Sequence, residues 1–196
     1  MVNDPLLQPF QLKHLTLKNR LMMTAHEPAY PEDGMSKALY RAYHVERAKA
    51  GLGLTMTAGS AAVAKDSPPV FNNILAYKDE VVPWMRELTD ACHEHGTAVM
   101  IQLTHLGRRT RWDKGDWLPA VSPSHRREAS HRAFPRQVED RDIERLIRDY
   151  AEAARSFDYT QAVQDALQGN LQAMNACVEC CDRHVGRDRP ALIWED

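Results

Sequence analysis

The sequence predicts an α/β protein built on a parallel sheet, and three observations carry that prediction. Three short apolar runs, at 20–26, 52–58 and 97–103, have the length of strands and end in polar or glycine residues. Each is followed, directly or after a loop, by an amphipathic stretch of helical length, at 36–50, 79–95 and 140–154. The alternation of strand and helix repeats in the order that right-handed crossovers use to build a parallel sheet. A doubly wound sheet and a (β/α)8 barrel both begin in this way. No Gly-x-Gly-x-x-Gly follows any of the runs, which counts against a dinucleotide-binding fold.

Residues Phe10 to Leu17 alternate apolar and polar and suit a small hairpin. Arg20 to Ala25 reads as the first core strand, and His26 to Gly34, with Pro28, Pro31 and Asp33-Gly34, as a loop. Ser36 can cap a helix whose face includes Leu39, Tyr43 and Ala50, and Gly51 sits where a C-terminal glycine ends it. After the second strand, Gly59-Ser60 lets backbone approach a ligand closely. Residues 64–78 form a polar, proline-containing loop. In the second helix Val82, Met85, Leu88, Thr89 and Cys92 share a face, and Gly96 closes it.

The third strand opens with Ala98 to Ile101, an apolar run suited to burial on both faces. It then turns polar, with Gln102, Thr104, His105, Arg108 and Arg109, and Gly107 allows a turn. In parallel α/β folds ligands bind outside the carboxyl ends of the strands, which is where this amide and basic cluster fall. Residues 107–139 are weakly periodic and rich in arginine and proline; a loop of that length is functional or disordered. The last helix has Ile143, Leu146, Ile147 and Tyr150 as its inward face.

A length of 196 residues allows one domain or two, and 43% hydrophobic with 27% charged residues reads as globular. A net charge of −2 gives no drive toward nucleic acid or a membrane surface. Residues 156–196 carry three basic and seven acidic side chains, against 22 and 20 before them, which suggests a tail of different origin. No window approaches the ~18 apolar residues of a membrane span, and Met-Val-Asn-Asp-Pro is not the start of a secretory signal. Cys92, Cys177, Cys180 and Cys181 make no secreted disulfide framework, so the expectation is a cytoplasmic chain with reduced thiols.

Three segments together resemble the Old Yellow Enzyme family of FMN-dependent oxidoreductases. They are Pro9-Phe10 with Leu15-Thr-Leu-Lys-Asn-Arg-Leu-Met-Met-Thr-Ala-His26, then Tyr43-x-x-Glu46-Arg47-Ala48-x-x-Gly51-x-Gly53-Leu54, and Gln102-Leu-x-His105-x-Gly107-Arg108. Glu32-Asp-Gly-Met35 and the run from Gly115 to Pro123 look like the branch that oxidises methylated amines, or the related dienoyl-CoA reductases. The resemblance implies that residues 1–155 are the N-terminal portion of a TIM (β/α)8 barrel, about three βα units, with FMN as cofactor. It implies that Thr24, Ala25 and His26 pass under the flavin, that Gly59 leaves room for its ring, and that Gln102 binds its pyrimidine side. His105 and Arg108 are expected to shape the turn rather than touch substrate, while Tyr30 and Trp117 lie in loops that could wall a pocket. The family's substrate-holding His-x-x-His or His-x-x-Asn pair and its phosphate site come later in the barrel and have no counterpart here, so no catalytic residue is named. The substrate is an unspecified small molecule, with no nucleic-acid or membrane partner, and open sheet edges at the first and third strands allow a homo-oligomer.

Residues 156–196 are expected to form a short, mainly helical tail. Asn175-Ala-Cys-Val-Glu-Cys-Cys-Asp-Arg-His-Val185 and Arg189-Pro-Ala-Leu-Ile-Trp-Glu195 resemble the N-terminal region of acetyl-CoA and related short-chain acyl-CoA synthetases. This favours a truncated or fused gene product, with a non-catalytic interaction module or an acyl-CoA synthetase fragment as the alternatives. Cys177, Cys180, Cys181 and His184 offer zinc-like donors, but Met174, Cys177, Cys181 and Val185 also form an apolar helix stripe, so no metal is expected.

Overall fold

The computed structural model describes residues 4–13, 15–57, 61–67, 70–109, 119–129 and 134–156. Gly59, Trp117 and the whole tail from residue 157, with its cysteine cluster and acyl-CoA-synthetase-like run, lie outside the described residues. The elements in order are β1 (Phe10–Leu12), β2 (Leu15–Leu17), β3 (Met22–Met23), α1 (Ala38–Lys49), β4 (Leu54–Met56), β5 (Ala61–Ala62), α2 (Val81–His93), β6 (Ala98–Met100), β7 (Leu103–Thr104), β8 (Val121–Ser122), β9 (Arg136–Gln137) and α3 (Asp140–Ser156).

β1 and β2 form the antiparallel hairpin that the alternation predicts, with Phe10 opposite Leu17. β3, β4 and β6 lie side by side in chain order and all parallel, Met22 beside Leu54 and Leu54 beside Ala98. β5 and β7 prolong the second and third runs and pair with each other in parallel. β8 and β9 put a further short parallel pair into 107–139, the stretch read from sequence as loop. Asp33 and Gly34 both have positive φ, and Glu32 and Met35 exchange both backbone hydrogen bonds across them, the tight two-residue turn that an Asp-Gly pair favours.

The core is built from Met35, Tyr40, Val63, Ile74, Met85 and Leu88 with the small side chains around them. α2 buries Val81, Met85, Leu88 and Cys92, close to the expected face. Four expectations need correction. In α1 the buried residues are Tyr40, His44 and Ala48, while Leu39 is exposed. The helix is turned because buried His44 finds a polar partner: its Nδ1 lies 2.8 Å from Thr55 Oγ1 on β4. Ser36 does not cap α1; Lys37 holds the N-cap position, and the Ser36 hydroxyl donates to Met85 Sδ at 3.3 Å.

In α3 the expected inward residues Ile143, Ile147 and Tyr150 are exposed, and Asp142 and Ala153 are buried instead. Ion pairs from Arg136 to Asp142 and from Arg145 to Asp66 hold that polar side inward. In β6, Ala98 and Val99 are half-buried, as is the following Ile101, and Met100 is exposed, so the run is not buried on both faces. Among the described residues β6 pairs along one edge only, with β4, whereas central Leu54 and Thr55 are buried.

Candidate functional site

Parallel strands put their carboxyl ends on one side of a sheet. Thr24, Ala25 and His26 leave β3 there, Thr57 leaves β4, and Gln102 follows β6. Four of the five residues named from sequence therefore come to one end of the sheet, and the fifth, Gly59, lies outside the described residues. Thr24, His26 and Gln102 are exposed and Ala25 is half-buried.

Gln102 is held by its backbone. Its N–H donates to Thr57 Oγ1 at 3.3 Å and its carbonyl accepts from the Ala61 N–H at 3.0 Å. Thr57 is itself buried, and its N–H donates to the Met100 carbonyl at 2.7 Å. The side-chain amide of Gln102 makes no hydrogen bond among the described residues. A clamped backbone with a free amide presents a donor and an acceptor in one plane, the chemistry that a flavin's pyrimidine edge requires. The donor set at this end of the sheet therefore fits a flavin edge.

The turn beyond Gln102 rests on two residues far back in the chain. His105 Nδ1 accepts from the Gly107 N–H at 3.1 Å, so that nitrogen is unprotonated and Nε2 carries the proton. Nε2 donates to Asp66 Oδ1 at 3.0 Å, and the Leu106 N–H donates to Ser67 Oγ at 2.8 Å. Asp66 Oδ2 accepts from Arg145 Nη2 at 2.5 Å, and Arg145 Nη1 reaches Asp149 at 2.6 Å. Burial pushes the Asp66 carboxyl up, but the hydrogen bond from His105, with the charge and hydrogen bonds of Arg145, outweighs it and holds the group below the usual aspartate value. Asp142 takes both Arg136 nitrogens at 2.6 and 2.7 Å and the Glu139 N–H at 2.8 Å, which together keep it far below the carboxylate range. As expected, His105 shapes the turn; Thr57, Asp66, Ser67 and Arg145 were not singled out by sequence. A threonine closing the apolar run of the second strand was the one signal available, since the others sit in polar stretches without pattern.

A cleft of about 520 Å³ opens beside this network, lined by Val63, Ala64, Asp66, Val121, Arg136 and Arg145 among others. Thr24, Ala25, His26 and Gln102 do not line it, so it is not the strand-end site. Among the described residues no cluster of His, Cys, Asp and Glu is arranged to hold a metal, and no helix is long and apolar enough to cross a membrane.

Over residues 5–162 the chain matches the NADH:flavin oxidoreductase / NADH oxidase family. It is 75% identical over 154 residues to a probable N-methylproline demethylase of Rhizobium meliloti (strain 1021), which covers 79% of this chain and 23% of that protein. It is 50% identical over 153 residues to a multifunctional alkene reductase/demethylase OYE of Caballeronia cordobensis, covering 78% and 23%. It is 41% identical over 157 residues to an N,N-dimethylglycine/sarcosine dehydrogenase of Chromohalobacter salexigens, covering 79% and 23%. The fold is similar to that of morphinone reductase in complex with tetrahydroNAD, with a TM-score of 0.71 at 22% identity over 79% of this chain and 46% of that one. The chain thus spans 23% of the length of these three curated relatives. Motifs, strand order and these likenesses agree: the chain belongs to the NADH:flavin oxidoreductase / NADH oxidase family, the Old Yellow Enzyme family, whose cofactor is FMN.

Proposed function

We propose that residues 1–155 are the FMN-facing N-terminal portion, about three βα units, of an Old Yellow Enzyme-type (β/α)8 barrel. The whole enzyme would be cytoplasmic and would oxidise an N-methylated amino acid. Demethylation is preferred to enoate or dienoyl-CoA reduction because the relatives at 75% and 41% identity are named for acting on methylated amines, and the one at 50% is named for demethylation as well as alkene reduction. The observation that carries the reading is Gln102, backbone-clamped by Thr57 and Ala61 with its amide exposed at the strand ends.

FMN, when bound, supplies the centre that accepts and donates hydride. The chain's own part is to bind and orient. Gln102 offers an amide to the pyrimidine edge, the backbone of Thr24 to His26 borders the ring, and Gly59 leaves room for it. These residues reach one edge and part of one face, so the chain by itself is expected to bind FMN more weakly than about 1 µM, that is, less favourably than about −8 kcal/mol. It is also expected to pass no electrons from NAD(P)H or an amine to an acceptor.

Flavin titration of the chain, followed by fluorescence, tests this. Gln102→Ala should weaken whatever binding is seen by about 1 kcal/mol, roughly fivefold. Binding left unchanged by that substitution places the flavin elsewhere and removes the reading. A second reading, an interaction module that self-associates, is favoured by the pairing of β3 and β6 along one edge only among the described residues and by the exposed apolar side chains of α3. For residues 156–196 we propose an acyl-CoA-synthetase-like segment joined by gene fusion, which resequencing across codon 156 checks.

A further inference from the structure

The Gln102 amide can meet a ligand at a set height and angle only if the chain on both sides of it is fixed. On the N-terminal side β6 is laddered to β4, and the Gln102 N–H reaches Thr57 Oγ1. On the C-terminal side β7 is two residues long, and the turn at 105–107 then leaves the sheet. That turn is gripped from one corner, Asp66-Ser67, 39 residues earlier in the chain. We propose that Asp66 is a positioning residue for Gln102: it holds the turn that follows the amide, and it does so by choosing the tautomer of His105. This rests on the reading of Gln102 as a flavin contact.

The argument runs through protons. The Gly107 N–H points at His105 Nδ1 and needs a lone pair there. The ring must then be protonated on Nε2, and an Nε2–H at a half-buried position needs an acceptor. Asp66 Oδ1 is that acceptor. The carboxylate is buried, and a buried carboxylate is costly unless both oxygens are engaged. Arg145 of α3 engages the second oxygen. Without the carboxylate only the Gly107 bond still favours Nε2–H, and that Nε2–H is left without its acceptor at a half-buried position. The Gly107 bond is then lost whenever the other tautomer forms, and Ser67 is left to hold the turn. Arg145 acts one step further back, by neutralising Asp66.

The test is made on the full chain, without FMN for its first part. Site-resolved amide hydrogen exchange should show Gln102, Leu106 and Gly107 exchanging about tenfold faster in Asp66→Ala, with Leu88 of α2 within about twofold of wild type. The ¹⁵N shifts of His105 should change from one Nε2–H tautomer to a mixture. Asp66→Asn keeps an oxygen for Nε2–H and should fall between the two, and it serves if the alanine variant does not fold. Unchanged exchange at Leu106 and Gly107, an equal acceleration at Leu88, or an unaltered His105 tautomer would each overturn the proposal. FMN titration of Asp66→Ala, Gln102→Ala and the double variant then separates the two ideas. If Asp66 acts through Gln102, the double variant binds no more weakly than Gln102→Ala, and an additive loss overturns the positioning role. No effect of Gln102→Ala, with the turn still loosened by Asp66→Ala, sinks the flavin reading alone.

Discussion

His44 shows most clearly how one residue binds chemistry to fold. It is fully buried; Nδ1 is satisfied by Thr55, and Nε2 has no hydrogen-bond partner among the described residues. Burial, with the nearby Arg47 charge adding to it, pushes the imidazole down to about 4. The ring is therefore neutral in the native state but protonates in the unfolded chain near pH 6.5. A depressed folded value means the contribution is complete above about pH 6.5 and is lost as pH falls toward about 4, up to roughly 3 kcal/mol in all. Thermal melts should drop across that window, and the drop should be absent in His44→Gln. The ion-paired Asp66 and Asp142 are held below the usual aspartate value, so their contribution is lost only as pH falls below about 5, at the lower end of that window. A melting temperature flat between pH 6.5 and 4.5 in the wild type would contradict this account.

At the scale of elements, two of the sequence motifs turn out to touch. Asn19, just before β3, donates from Nδ2 to the Gly51 carbonyl at 2.7 Å and accepts the Leu21 N–H on Oδ1 at 3.0 Å. Gly53 lies against the same residue: a Cβ there would stand 2.6 Å from both the Asn19 carbonyl oxygen and Oδ1. Gly53 is thus required by close approach, and Gly51, at φ +103°, by conformation. Together they let the end of α1 and the start of β4 close onto the start of β3. Gly53→Ala is expected to destabilise the chain by about 1–3 kcal/mol in urea unfolding. A loss below a few tenths would mean that the Asn19 backbone yields easily. Sequence marked both glycines and Asn19 as parts of a pattern, but only their proximity explains why the pattern has that spacing.

At the scale of the whole molecule, what matters is that the described residues leave strand edges without a neighbour. β3 and β6 each pair along one edge among the described residues, and α3 exposes Ile143, Ile147 and Tyr150. Exposed parallel edges and apolar helix faces favour association. Light scattering on the purified chain should show mass rising with concentration, and Ile147→Lys, on a side chain 64% exposed, should reduce it without lowering the melting temperature. A concentration-independent monomer would remove the interaction reading. The sequence by itself determined the β1–β2 hairpin, the order of β3, β4 and β6 with the three helices, their parallel pairing, the inward face of α2 and the end of the sheet where Gln102 emerges. Those features follow from local signals: apolar periodicity, chain reversals at Gly51 and Gly96, and the handedness of crossovers. Only the tertiary structure decided which faces of α1 and α3 turn inward and what holds the turn beyond Gln102. Apolar periodicity cannot decide these, because a polar group is buried only where a partner waits for it. For His44 Nδ1 that partner is Thr55, for Asp142 it is Arg136, and for Asp66 it is Arg145, 79 residues away.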